Sequence, residues 1–588
     1  MTSSGSSTPR SRQQQPEMTH VSRNRDLSPI VNSLPGVSTG SGSADGQSVT
    51  NRDDGASSPA VGPAPAIQLS PTTNKELSVS NPGPEGIPNT EINEEAQAEL
   101  EIRRGMATMN AAFDWTGPTD PDNPRNFSLV TRLYSTATIT FLAMVVTVAG
   151  SMYAPAQEDV AAAFGVSPEV AVLPLSLYNL GLAFGPLVGA PLSETYGRKA
   201  VFLLTAPTFM LFTLGAGFSK SVASLVVCRF FAGMFGAPLI NNAPATMLDF
   251  TPGLYRGTTL GVYYTIPSFG ASLGPLMGGF IVQRSGGWRW TQWAAIIFAL
   301  AFYVPMLFTP ETYKKIILRR RAIRLGLYDS ASQRTSPGRA FRYFATTLIQ
   351  RPLHMLFTEP IVTLVSLYCG FLYGLLYTFV VAVPWIFRHY YGFNHDQESL
   401  SFLGLIIGTL SASIPLVIID TRFYQPRLIR WQQQREPTPG NDGEEAVEPP
   451  PLPSENRLIG ALIGSLLLPP SLFAVAWTAH SHVHWIVPIF FQGCVMLASL
   501  LLYASASLFM LDAYGPLYGA SASGAVMMSR YVLSAAFPLF ALRMYKALGV
   551  GWATTLLAFV TVAMAPIPWC FWLYGEKLRK RSRYETSR

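Results

Sequence analysis

Five charged residues sit inside or at the ends of long uncharged stretches: Arg229, Asp249, Glu359, Asp512 and Arg530. In apolar surroundings a charge is costly, so each marks a place where the chain holds an ion, a proton or a charged partner. Arg530 lies about eleven residues into its stretch, near mid-depth by the rise of a helix. It can hold an anionic substrate or an essential carboxylate, or pair with a carbonyl or polar neighbour. Arg229 opens its stretch and is followed by Gly233 and Gly236. A carboxyl beside a low-dielectric wall can load and release a proton at working pH, which makes Glu359, Asp249 and Asp512 candidates for proton coupling. For the two aspartates a helix-end or gate contact is the preferred reading, and Glu359 leaves both readings open. Nothing points to catalysis. There is no HExxH, Walker loop, dinucleotide fingerprint or GxSxG elbow. Cys228, Cys369, Cys494 and Cys570 form no spaced pair, and His480, His482 and His484 read as solvated loop residues. No enzyme activity, metal or cofactor is expected.

The elements that must position these groups are membrane helices. The chain has 588 residues and is 48% hydrophobic but only 13% charged, although its first quarter is polar, so the apolar residues are concentrated further on. From Leu129 onward, charges punctuate runs of roughly 20 residues, the length that spans the hydrocarbon layer. Six runs lie between Leu133 and Pro310 and six more between Pro360 and Gly575. The expected fold is all-α and polytopic: twelve transmembrane helices in two six-helix bundles. The boundaries read as a disordered N-terminal tail over 1–128, a bundle over 129–310, a central loop over 311–354, a second bundle over 355–574 and a basic tail over 575–588. Lys314 to Arg324 and the C-terminal end are strongly basic, whereas loops such as Ala154 to Pro168 and Thr478 to His484 carry no Lys or Arg. The basic segments and both termini are therefore expected in the cytoplasm. The net charge of +7 then describes anchoring at the bilayer surface, not nucleic-acid binding. None of the long polar segments folds into a nucleotide-binding portion, which argues against an ATP-driven pump.

Met247-Leu248-Asp249, with Tyr255 six residues on, recurs as Met510-Leu511-Asp512 with Tyr518, at an offset of 263. An offset of six spans makes the halves parallel repeats, with substrate expected between them near the midplane. Gly270, Gly274 and Gly278 recur every fourth residue, a groove on one helix face for a neighbouring backbone, and Pro275 adds a kink. One repeat later the proline persists as Pro538 and the glycines are gone, so the groove is expected in the first half alone. Thr140, Thr147, Asn241, Asn242, Tyr373 and Tyr377 can line a cavity or equally serve helix packing.

Gly189 to Ala200, reading GAPLSETYGRKA, resembles the loop signature of the major facilitator superfamily, with Thr195 in place of its usual arginine. In it Glu194 can accept hydrogen bonds from the start of another helix, while Arg198 and Lys199 anchor a charge lock. Arg229 is similar to the family's membrane-embedded arginine. Gly270 to Gly279, with Gly274-Pro275 and Gly278-Gly279 intact, is similar to the signature of its drug:proton antiporters. Asp114 to Phe127 (DWTGPTDPDNPRNF), Thr309 to Tyr313 and Asp512 to Ala522 resemble fungal twelve-helix multidrug and polyamine transporters. The resemblance implies a proton-coupled exporter of small organic compounds that works by alternating access. Polyamine export and nutrient import are alternatives on the same scaffold, and a non-transporting sensor or a channel fits less well. Few acidic residues lie within the spans, which favours neutral or anionic cargo over polyamines. The expected partners are protons, a small-molecule substrate and the bilayer. A single chain is expected to suffice, in the plasma membrane or alternatively the vacuolar one.

Overall fold

The computed structural model describes residues 114–326, 350–435, 452–582 and 584; the tail before residue 114 lies outside them. In the first half the helices are α1 (Leu129–Ser151), α2 (Gln157–Phe164), α3 (Pro168–Tyr196), α4 (Arg198–Gly217), α5 (Val222–Phe250), α6 (Arg256–Ser285) and α7 (Arg289–Met306), followed by α8 (Lys314–Arg324). In the second half they are α9 (Arg351–Thr358), α10 (Pro360–Tyr391), α11 (His395–Leu400), α12 (Leu403–Ser411), α13 (Ser413–Ile419), α14 (Gln425–Arg435), α15 (Ile459–Thr478), α16 (Ile486–Met564) and α17 (Pro566–Arg581). No strand occurs among the described residues. With no water to satisfy peptide groups in a bilayer, uninterrupted helix is what long apolar runs must form.

Helix ends follow local chemistry. Ser128 caps α1 by accepting the N–H of Thr131, and Ser221 caps α5 by accepting that of Ser224. The helical run Ile486–Met564 is three helices in series, because Gly515 (φ 58°, ψ −167°) and Gly549 (φ 75°, ψ 165°) reverse the chain in conformations that side chains with a Cβ disfavour. Among the described residues, nine helical segments are long and apolar enough to cross a membrane. Pro168–Tyr196 and Arg289–Met306 fall outside that set, and Tyr518–Arg581 holds two crossings separated at Gly549. The count of twelve spans, six to each half, stands. The last helix runs to Arg581, past the end expected near residue 574.

Within the first half α1 packs on α6 and α3 on α5, and in the second α10 and α15 pack on α16. The segment leading into α8 meets the start of α4 through Glu311 and the end of α5 through Thr312, and Asp420 after α13 reaches Thr258 near the start of α6; this end is called the basic face below.

Residues 114–128, assigned to the tail by sequence, are instead fastened to α8. Asp120 is buried (3% exposed), and both its oxygens accept from the Arg321 guanidinium at 2.7 and 2.9 Å. Asp122 takes two further Arg321 donors, at 2.7 and 3.0 Å. The Arg321 hydrogen bonds hold the Asp120 carboxyl far below the usual carboxylate range. Asn126 Nδ2 closes the loop on the carbonyls of Pro118 and Asp120.

Candidate transport site and gates

On the basic face, Arg198 opens α4 and its side chain turns to α5. Its Nε reaches Asp249 Oδ2 at 3.3 Å, and its Nη1 donates to Ser193 Oγ at 2.7 Å and Asn242 Oδ1 at 3.3 Å. Thr312 Oγ1 also donates to Asp249, at 3.0 Å. The acid that receives the start of α4 is Glu311: its carboxylate accepts the backbone N–H groups of Arg198 and Lys199 at 2.9 and 3.2 Å. An anion at a helix N-terminus meets unsatisfied donors and the positive end of the dipole. Glu194 is half-buried at the end of α3, and Glu311 is a further acid at the start of α4. Lys199 Nζ donates to the Leu307 carbonyl at 2.8 Å. Asn242 serves this lock, with its Nδ2 on the Arg198 carbonyl at 3.1 Å, and not the cavity wall proposed for it.

The second half repeats the arrangement. Arg457 Nε reaches Asp512 Oδ2 at 2.8 Å and its Nη1 reaches Asp420 Oδ1 at 2.7 Å, with the guanidinium over the Tyr424 ring. Asp249 and Asp512, matched by the sequence offset, thus each hold an arginine, in keeping with gate contacts. Asp420 also bridges the halves, since Oδ2 accepts from Thr258 Oγ1 of α6 at 2.6 Å. Asp420, Arg457 and Glu311 escaped the sequence reading. The 263-residue offset carries Arg198 to Ala461, four residues past Arg457, so the register fails just where a partner equivalent to Arg198 would be sought.

Arg229, 1% exposed, caps α1 from across the bundle: Nη1 donates to the Ala149 carbonyl at 2.8 Å and Nη2 to that of Gly150 at 2.9 Å. Its guanidinium lies over the rings of Tyr178 and Tyr153, at 4.4 and 5.1 Å from their centroids. The glycine face of α6 lies along the same end of α1. A Cβ on Gly270 would meet Thr147 and Met144, one on Gly274 would meet Ser151 and the Met152 backbone, and one on Gly278 the Met152 backbone. Gly279 instead faces Ser399 of the other half. Thr147 Oγ1 donates to the Met144 carbonyl of its own helix, so Thr147 is a packing residue against Gly270 and not a cavity group.

The expectation that only the first half is close-packed does not hold. In the second half the glycines lie on the other helix: a Cβ on Gly370 or Gly374 of α10 would meet Leu533 or Phe537. Large residues on one helix fill the space that small ones leave on its neighbour.

Between the halves is a small cavity lined by Ser268, Cys369, Tyr373, Ser499, Tyr503 and Arg530, among others. Its free space, about 20 Å³ to the centre of a water-sized sphere, holds one water. Arg530 is 2% exposed, and its Nη1 donates to the Tyr503 hydroxyl. The guanidinium is 3.9 Å from the Tyr373 ring centroid, 4.4 Å from that of Tyr503 and 5.2 Å from that of Tyr531. Tyr377 meets Tyr373 edge to face and lies behind it. Of the polar wall residues expected from sequence, Tyr373 alone lines this cavity. Thr140 is buried on α1, and neither side-chain polar atom of Asn241 finds a partner among the described residues. Tyr503 and Ser499 were missed because a polar residue within an apolar run carries no mark of the face it occupies. Glu359, 3% exposed, precedes α10 and accepts from the Tyr514 hydroxyl at 3.3 Å.

The halves also meet on the face opposite α8. Arg388 Nη1 reaches Glu158 at 2.8 Å and Arg543 Nη2 reaches Glu169 at 3.2 Å. Two parallel six-helix halves, in contact at both faces over a central cavity, define a secondary transporter in an occluded state. The family model described as Major Facilitator Superfamily matches residues 139–538. The chain belongs to that superfamily, and it is similar to several fungal members. It is 37% identical to the MFS-type transporter traF of Penicillium crustosum (80% of this chain, 93% of that one). It is 35% identical to polyamine transporter 4 of Saccharomyces cerevisiae (80% and 73%) and 36% identical to efflux pump FUBT of Fusarium oxysporum (79% and 76%). Among solved structures, the xylose transporter XylE of E. coli shares the fold, with a TM-score of 0.54 at 15% identity over 75% of this chain and 98% of that one.

Proposed function

We propose that the protein exports small organic compounds against their gradient by exchanging them for protons, as a single chain in the plasma membrane, with its basic face and both termini in the cytoplasm. The observation that carries this reading is the occluded cavity with separate closures at the two faces, Thr258–Asp420 on one and Arg388–Glu158 on the other. Opening one closure at a time is alternating access. Export is favoured by the intact glycine signature of α6 and by relatives named as efflux pumps. Glu359, buried and accepting from the Tyr514 hydroxyl ahead of α10, is the carboxylate assigned to the proton on this reading. Transport needs no cofactor on this reading, because the gradient supplies the energy. The yeast relative's name raises polyamines as cargo, but no carboxylate lines the cavity among the described residues. Sealed vesicles with an imposed proton gradient test the proposal. Substrate movement should stop when a protonophore collapses the gradient, and Glu359→Gln should lose the gradient dependence. Flux that survives the protonophore would sink the coupling.

A further inference from the structure

We propose that the central cavity binds the anionic head of an organic substrate at Arg530, with an apolar, ring-bearing body lying against the side chains beside it. This rests on the exporter reading and adds the charge class of the cargo.

The two most deeply buried arginines among the described residues, Arg229 and Arg530, form a comparison within one molecule. Arg229 spends its terminal N–H groups on the carbonyls of Ala149 and Gly150, so its role is met by the protein itself. Arg530 is as deeply buried and, like Arg229, leaves Nε without a hydrogen-bond partner among the described residues, but its Nη1 reaches a tyrosine hydroxyl and the Met527 sulfur where Arg229 has backbone carbonyls, and Ser499 Oγ on the same cavity wall is also without a partner. No described carboxylate pairs with Arg530; its neighbours are the rings of Tyr373, Tyr503 and Tyr531. Ring faces compensate a buried cation only in part, and a guanidinium has five N–H donors in a planar fork that fits a carboxylate or another delocalised oxyanion with two bonds. The remaining lining is apolar, with Leu372, Leu376, Met496 and Leu500 beside the arginine. A wall of one cation, tyrosine faces and aliphatic groups fits a planar organic anion and repels an amine. In the occluded state there is room for one water only, so the ligand enters when the wall from the first half, which includes Ser268, draws back.

The test uses the purified full-length protein and three probes on one ring system: 1-naphthoate, 1-naphthamide and 1-naphthylmethylamine, which are anionic, neutral and cationic at pH 7. Thermal stabilisation in detergent reads binding, and gradient-driven flux in vesicles reads transport. Naphthoate should stabilise the protein saturably and bind about tenfold more tightly than the amide, with the amine weaker still. Arg530→Gln should bring naphthoate and the amide to within about twofold of each other, and Arg530→Lys should restore part of the preference. If Arg530→Gln does not fold, the wild-type panel decides alone. Equal affinity for the three probes, preference for the amine, or no naphthoate binding at millimolar concentration overturns the site. Naphthoate binding without gradient-driven flux of any probe supports the site and overturns the exporter reading. Flux of the amide or amine without naphthoate binding does the reverse.

Discussion

The carbonyls of Ala149 and Gly150 fall in the last turn of α1, where a helix has no donors of its own left for them, and Arg229 supplies donors from α5. Truncation to alanine therefore leaves two buried acceptors empty, at a cost of about 1–3 kcal/mol each. Arg229→Ala should still reach the membrane, with a lowered thermal midpoint and no gradient-driven transport. Arg229→Lys, a point charge in place of a fork, should keep part of both. Normal flux in the alanine variant, measured in vesicles, would refute the assignment. Arg229 and Arg530 were legible in the sequence because charge inside an apolar run is rare. Thr147 and Asn242 were not, because hydroxyl and amide side chains in a membrane helix as readily bond their own turn or a neighbouring lock as face a cavity.

At the scale of helices, the halves solve one packing problem with opposite assignments of small and large. The four-residue glycine repeat of α6 was visible in the sequence. Its counterpart was sought on the second part of α16, where Phe537 stands, but the small residues are Gly370 and Gly374 of α10. The 263-residue offset holds for two adjoining spans in each half and says nothing about the others, because the loops between them differ in length. Replacing either groove glycine drives a branched side chain into a neighbouring helix, whereas truncating Phe537 opens a gap. Gly274→Val and Gly374→Val should each impair export severely. Phe537→Val should cost about 1–4 kcal/mol of stability with partial activity. Thermal denaturation and vesicle flux on the three variants check the order, and a harmless Gly374→Val would contradict the exchange of roles.

For the whole molecule, the closures are unequal. Asp420 is 6% exposed and holds both Arg457 and Thr258, whereas the Arg388–Glu158 pair on the other face is largely exposed, a setting in which an ion pair is worth only about 0–1 kcal/mol. Asp420→Ala should shift the population towards opening at the basic face. In a protein whose other three cysteines are replaced by serine, a maleimide should then label Cys369 in the cavity several-fold faster than in the parent. Arg388→Ala should change that rate less, and equal rates would mean that Asp420 is no gate. The twelve spans could be read from charge spacing, the parallel repeat from the recurring Met-Leu-Asp motif, and Arg229 and Arg530 from charge at the mouth of an apolar run or within one. The closures could not, since they join residues more than a hundred positions apart. The fastening of residues 114–128 to α8 has a bearing on how the protein tolerates acid. Because Arg321 holds the Asp120 carboxyl far below its ordinary value of 3.8, the stabilisation this contact gives is complete above that value and is lost only as pH falls well beneath it. Acidification of the surrounding compartment to pH values above that range leaves this clamp untouched, so the anchor keeps its hold whatever the pH on either side of the bilayer does within the ordinary cellular range.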